Sequence, residues 1–277
     1  MSPETPSKLS NMQTRIIAGV IGAIIFIGGI WYSEWTFFLL FGILTLLGVL
    51  EFYRLMRTNK DVEPNQVLGL LLAMAVFVLV FFDQKSLIWE NVLFLLLPGI
   101  MLLFVAELFR KKPHPFLNVG VTLLGVFFVA MPFALLSLIA FPLGQYSWQP
   151  VLGTMFLIWT ADSGAYFAGK SFGTHKLFER ISPGKTWEGW VGGTILTIAV
   201  GWLMAEFMTD LSRPQWLGVA AIVSVFGVLG DLAESMMKRS LGVKDSGTLI
   251  PGHGGILDRF DSLIMVVPFI VAFLKIF

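Results

Sequence analysis

The sequence contains no cysteine. That absence excludes disulfides, haem-thiolate ligation, iron–sulfur clusters and cysteine-held zinc. Histidine is scarce as well, at 3 in 277 residues, and no histidine cluster argues for zinc. Charge is the third scarcity. Asp, Glu, Lys and Arg make up 13% of the chain, against about 25% in a soluble globular protein. The net charge of +1 gives no global field for nucleic acid. What is abundant is apolar, at 56%. A chain with so few polar groups cannot cover its surface in water, so the bilayer is its expected solvent.

Nine apolar runs have about the 20 residues that a spanning helix needs. They cover 14–32, 35–56, 65–82, 88–109, 116–141, 150–171, 187–208, 214–239 and 256–276. The fold class is therefore all-α, a polytopic integral membrane bundle of about nine transmembrane helices. No small-residue cleavage pattern follows the first run, so it reads as an uncleaved helix. The expected layout is a cytoplasmic tail at 1–13, helices 1–5 at 14–145, and helices 6–9 with their motif loops at 146–277. No loop is long enough for a soluble domain and no internal repeat is visible, so this is one membrane domain. The first five helices are plain, and the last four carry acids and bases. Of 19 Lys and Arg residues, only Lys85, Arg213 and Lys275 fall on the side opposite the N-terminus. The positive-inside rule then predicts a cytoplasmic N-terminus and an outer C-terminus in the plasma (inner) membrane.

The polar residues of the last four helices form a pattern. Asp162 lies near the middle of helix 6, where a carboxylate costs about 2.5–3.5 kcal/mol on insertion scales. It should face the protein interior or a water-filled cavity, unless it serves a helix–helix hydrogen bond. Tyr166 and Lys170 continue its stripe. On helix 8, Asp231, Glu234, Ser235 and Lys238 fall at i, i+3, i+4 and i+7 and share a face. Two acids one turn apart suit a divalent cation with oxygen ligands. The plainer alternative for Glu234 is an i,i+4 pair with Lys238. Between helices 8 and 9 runs LGVKDSGTLIPGHGGILDRFDS. Its glycines, Gly254 and Gly255 among them, let backbone N–H groups approach an anion. The loop opens into helix 9, whose N-terminus favours negative charge. Asp258 and Asp261 then share a face with Ser262, and Arg259 points elsewhere around the helix. His253 reads as a metal ligand, a phosphate donor or a loop residue.

SPGKTWEG, residues 182–189, ends like a P-loop. That motif needs a glycine five residues before Gly184, where this chain has Glu179. No strand is expected ahead of it, only helix 6 and a basic loop. What remains is a polyanion-binding surface of Lys170, Lys176, Arg180 and Lys185 with Ser182, Thr186 and Glu188 at the start of helix 7.

SMMKRSLGVKDSGTLIPGHGGILDRFDS, residues 235–262, resembles the signature of the phosphatidate cytidylyltransferases, also called CDP-diacylglycerol synthases, of bacterial type. Ser235, Lys238, Arg239, Lys244, Asp245, Gly247, Pro251, His253, Gly254, Gly255, Asp258, Arg259 and Asp261 fill the family pattern. WTADSGAYFAGKSFG, SPGKTWEG and GDLAES are similar to the bacterial members too. The specific match runs from Trp159 to Ser262, and helices 1–5 match only in general character. The resemblance implies an Mg²⁺-requiring membrane enzyme that joins CTP and phosphatidate into CDP-diacylglycerol and pyrophosphate, and a homodimer. It implies Asp231 and Asp258 as the metal pair. Lys185, Lys238, Arg239, Lys244 and Arg259 would spread over the phosphates, with Asp245 in the same catalytic set. Asp162 and Asp261 would line the site, and a second cation has room there. Glu234, Ser235, His253, Gly254 and Gly255 join the expected substrate-binding residues. The competing readings are another lipid-phosphate cytidylyltransferase, a polyisoprenol kinase, and a cation-coupled transporter. The transporter reading lacks the repeat symmetry such folds carry.

Overall fold

Apolar runs inside a bilayer must satisfy their backbone hydrogen bonds internally, and helices do so. The computed structural model describes residues 11–86, 91–142, 144–247 and 254–277. Among them, α1 (Asn11–Tyr32), α2 (Glu34–Met56) and α3 (Gln66–Gln84) come first. A 3-10 turn (Val92–Leu95) then leads into α4 (Leu96–Arg110). The next rod is α5 (Pro115–Gly125), a π turn (Val126–Ala130) and α6 (Met131–Ala140) in sequence. The C-terminal part holds α7 (Gln149–Phe172), α8 (Trp187–Phe207), α9 (Arg213–Ser240) and α10 (Leu257–Ile276). These segments make nine rods among the described residues, at the nine expected places. The tail up to residue 10, Pro251 and His253 lie outside the described residues.

Local chemistry sets the boundaries. Ser33 alone separates α1 from α2: its Oγ accepts from Thr36 N at 3.2 Å, and its own N–H donates to Thr36 Oγ1 at 3.0 Å. That reciprocal cap restarts the helix at once. Pro132, two residues into α6, has no N–H and its ring crowds the carbonyl four residues back. The π turn just before it widens the helix and relieves that conflict.

Six rods are long and apolar enough to cross a membrane, namely α2, α3, α4 with its 3-10 turn, the α5–α6 rod, α8 and α9. The protein is an integral membrane helical bundle. α7 and α10, which carry Asp162, Asp258 and Asp261, fall outside that set. Most of α4 faces outward, with Leu97, Met101, Leu102, Leu108 and Phe109 exposed, as a lipid-facing helix requires.

Lipid gives helices no hydrophobic reason to associate, so close backbone approach carries the packing. α7 and α8 meet along a seam of small residues. A Cβ on Gly193 would lie 2.7 Å from Ala161 O, and one on Gly189 would lie 2.8 Å from Ala165 O. Gly193→Leu is expected to force these helices apart, at a cost of at least about 1–3 kcal/mol. Its melting temperature in detergent should drop, while that of Gly120→Leu, whose added carbon meets nothing, should hold.

The structure corrects the sequence expectation between α7 and α8. The stretch after α7 is not a plain loop. Lys176–Phe178 (β1) and Ser182–Thr186 (β2) form an antiparallel hairpin, with Lys176 opposite Thr186 and Phe178 opposite Ser182. A strand therefore does precede GKT, but GKT lies within the second strand, and the P-loop reading still fails at Glu179. The hairpin is short and mostly exposed, so periodicity could not reveal it. It is held from outside: Trp187 N donates to His175 O at 3.0 Å.

Candidate active site

Three helices, α7, α9 and α10, meet the hairpin at one end of the bundle. The C-terminal half of α7 supplies Asp162, Tyr166 and Lys170. β2 supplies Lys185 and Thr186, α9 supplies Asp231, and the first turns of α10 supply Asp258, Arg259, Asp261 and Ser262. Together they line a cavity of about 610 Å³. Eight expected site residues are thus brought onto one wall from four separate segments. Helical spacing alone points Arg259 elsewhere around the helix, while the family resemblance puts it in the site, and it lines the cavity. Residues 258, 259 and 261 span roughly 160° of a helix, and the cavity wraps that much of the α10 entrance.

Gly230 makes the α9–α10 contact possible. A Cβ there would lie 2.6 Å from Asp261 O and 3.0 Å from Ser262 Cα. The glycine of GDLAES therefore brings Asp231 beside Asp261. Asp162, Asp231, Asp261 and Lys185 lie within electrostatic reach of one another. Lys185 Nζ sits 2.6 Å from Asp231 Oδ2, and Ser235 Oγ donates to Asp231 Oδ1 at 3.2 Å. Lys185 of SPGKTWEG and Asp231 of GDLAES, 46 residues apart in sequence, join the two motifs through this pair.

Asp258 is held differently. Its Oδ1 accepts from Lys238 Nζ at 2.7 Å, and its Oδ2 accepts from Gly255 N at 2.8 Å and Ser246 N at 3.1 Å. Lys238 also pairs with Glu234 at i,i+4. This is the plainer reading of Glu234, and it holds. Glu234 is 2% exposed, and its Oε1 has no hydrogen-bond partner among the described residues. Lys238 therefore lies between two buried carboxylates behind the cavity wall.

The other expected residues lie around this centre. Arg239 is exposed and donates to Val243 O at 3.2 Å. Lys244 and Asp245 are exposed on the loop after α9, and Ser182 is half-buried at the start of β2. Glu188 holds the entry to the hairpin: its carboxylate accepts from Thr174 N at 3.1 Å, Thr174 Oγ1 at 2.8 Å and His175 N at 3.2 Å. Gly254 has φ of +87°, a conformation that glycine adopts without strain. The α10 N-terminus was expected to offer its N–H groups to a phosphate. Gly255 N already meets Asp258, and Ile256 N and Leu257 N meet Glu51 of α2. Sequence reasoning missed Glu51, because an acid near a helix end with Arg54 and Arg57 beside it reads as surface decoration.

A second cavity, of about 490 Å³, adjoins the first. Its wall is mainly apolar, from Gly22 and Phe26 of α1, Leu44 of α2, Met155 of α7 and Leu263 of α10. Trp159, Asp162, Arg259, Asp261 and Ser262 line both. One chamber is charged, the other is oily, and the two share a charged partition.

The cytidylyltransferase family matches residues 13–277. A phosphatidate cytidylyltransferase of Bacillus subtilis (strain 168) is 36% identical over 274 residues, 96% of this chain and 99% of its own length. One from Staphylococcus aureus (strain COL) is 33% identical over 261 residues, 93% of this chain and 96% of its own. One from Haemophilus influenzae is 39% identical over 182 residues, 62% of this chain and 63% of its own. The chain belongs to the cytidylyltransferase family. The resemblance read from Trp159 to Ser262 therefore extends through helices 1–5 as well, and this family member is an enzyme of the nucleotidyltransferase class.

The cavity's charge bears on a metal. Its described lining holds four carboxylates (Asp162, Asp231, Asp258, Asp261) and three basic side chains (Lys170, Lys185, Arg259). Such a lining has no surplus positive charge to meet a polyphosphate. No three acidic or histidine side chains gather as a ready-made metal cage among the described residues. One or two carboxylates completed by substrate phosphate oxygens is the usual way Mg²⁺ is held, and the donors here fit that mode.

Proposed function

We propose that this enzyme transfers CMP from CTP to phosphatidate, giving CDP-diacylglycerol and pyrophosphate at the cytoplasmic face of the plasma membrane. The observation that carries this reading is the pair of joined cavities. A lipid phosphate has one charged end and two oily chains, and the partition of Asp162, Arg259 and Asp261 lies where charge gives way to apolar wall. The names of the relatives support the same substrates.

In this reaction a phosphatidate oxygen attacks the α-phosphorus of CTP. A new P–O bond forms, the bond to the β-phosphate oxygen breaks, and pyrophosphate leaves with the electron pair. The enzyme supplies no covalent nucleophile. Its work is positioning and charge neutralisation. Lys185 and Lys170 reach the charged cavity as point charges toward phosphate, and Arg259, at the partition, has the planar fork suited to a phosphate on the lipid side. Asp231 and Asp258 would hold Mg²⁺, with Asp162 and Asp261 available to a second cation. Mg²⁺, when bound, neutralises phosphate charge and stabilises the leaving group. Lys238 and the Gly255 and Ser246 amides keep Asp258 in place. Trp159 and the apolar wall below it limit water near the lipid phosphate.

The site lies at the end shared by the α2 C-terminus and the α10 N-terminus, which the Lys and Arg distribution assigns to the cytoplasm. The family resemblance implies a homodimer, which mass measurement in detergent would test.

The direct test is incorporation of radiolabelled CTP into lipid with phosphatidate, with and without chelator. Lipid-linked label that disappears with chelator is the expected result. Label that survives chelation removes the metal role, and label found only with a polyisoprenyl phosphate changes the acceptor. Lys185→Ala is expected to raise KM for CTP by about tenfold, the loss of one charge-assisted contact. A shift confined to phosphatidate saturation would assign Lys185 to the lipid.

A further inference from the structure

Glu51 belongs to the half of the chain whose helices looked plain, yet it is 2% exposed and spends its carboxylate on the signature region. Its Oε1 accepts from Ser246 Oγ at 2.5 Å and Leu257 N at 3.0 Å, and its Oε2 accepts from Ile256 N at 2.9 Å. A helix leaves its first N–H groups unpaired, and Ile256 at the start of α10 provides no side-chain cap. A carboxylate from a helix some 200 residues earlier does it instead, where the positive helix end favours it. The signature glycines fit around this acid. A Cβ on Gly247 would lie 2.6 Å from Glu51 Oε2, and one on Gly255 would overlap Glu51 Oε1 and Ser246 Oγ. Ser246 links the two acids: its hydroxyl goes to Glu51 and its N–H to Asp258.

Resting on the cytidylyl-transfer reading above, we infer that Glu51 is a positioning residue of the active site. It fixes the entrance of α10, and through Ser246 the Asp258 carboxylate, so that Asp258 and Arg259 face the cavity. Nothing on Glu51 itself lines that cavity among the described residues, so its effect passes through the residues it holds. A catalytic group displaced by about 1 Å costs on the order of 10²-fold in rate. Lys185 and Asp231 stand on β2 and α9, which the recorded bonds of Glu51 do not reach. The effect should therefore fall on kcat and spare KM for CTP.

The experiment uses the full chain in lipid nanodiscs. Glu51→Gln keeps the shape but turns an NH₂ group toward N–H donors. Its kcat is expected to fall at least tenfold, with KM for CTP within about threefold of the parent, as a pure positioning loss requires. Hydrogen exchange gives a second readout that needs no turnover. The Ile256 and Leu257 amides should exchange faster while α8 and α9 keep their protection. A kcat within twofold of the parent, or protection lost evenly over all helices, overturns the inference. If the Gln variant does not fold, Gly247→Ala and Gly247→Ala with Glu51→Asp decide the matter. The shorter acid makes room for the methyl group, so the pair should regain activity over Gly247→Ala alone; no regain overturns the inference. A parent without CDP-diacylglycerol synthesis would defeat the functional reading instead, and the exchange measurement would still test Glu51.

Discussion

Asp231→Asn should abolish CDP-diacylglycerol formation, by about 10²–10³-fold or more, in a protein that still inserts and folds. Asp231 stands at the centre of the charged cavity, 2.6 Å from Lys185 and within electrostatic reach of Asp162 and Asp261. Asparagine keeps the shape and can keep the Ser235 hydroxyl contact. It removes the charge that orients Lys185 and the oxygen donor proposed for Mg²⁺. The side chain is 36% exposed to the cavity, so its neutral replacement leaves no buried charge stranded and stability should change little. Turnover and detergent melting of the same preparation separate the two effects. Near-normal turnover with Mg²⁺ present would end the metal role of Asp231.

Lys238→Met should be the most destabilising single change at this end of the bundle, at about 3–5 kcal/mol. Lys238 is 11% exposed and lies between Glu234, 2% exposed, and Asp258, 8% exposed. Methionine can fill most of the volume, but it leaves two buried carboxylates facing each other without a cation. Breaking a buried pair costs far more than the intact pair contributes, because the remaining charge has lost its water and its partner. Adding Glu234→Leu should recover part of the loss by removing one of the stranded charges. The measurement is the melting temperature of parent, single and double variants in one detergent. A double variant less stable than Lys238→Met would show that Glu234 has another partner.

These two residues also show how far the sequence carries the site. The i,i+3,i+4,i+7 spacing put Asp231, Glu234, Ser235 and Lys238 on one face of α9, and that local geometry holds. Spacing could not divide their tasks. Packing against α10 buries Glu234 with Lys238 while Asp231 opens on the cavity. The same limit applies to Glu188, whose place after GKT resembled a ligand contact and which in the structure holds Thr174 and His175. Arg259 went the other way: a helical wheel turned it aside, and a cavity wrapped around the helix end brought it back.

By itself the sequence determined the membrane class, the nine helical rods and the identity of the polar residues, because bilayer thickness and helix periodicity act on local stretches of chain. Its motifs also reached the family. The tertiary structure decided what no local rule encodes: the hairpin held by Glu188, the meeting of Lys185 with Asp231, the oily chamber beside the charged one, and the reach of Glu51 to the start of α10. Each depends on where separate helices cross. In lipid, that crossing is set by close contacts at residues such as Gly193 and Gly230 rather than by apolar pattern, since every face of a membrane helix can be apolar.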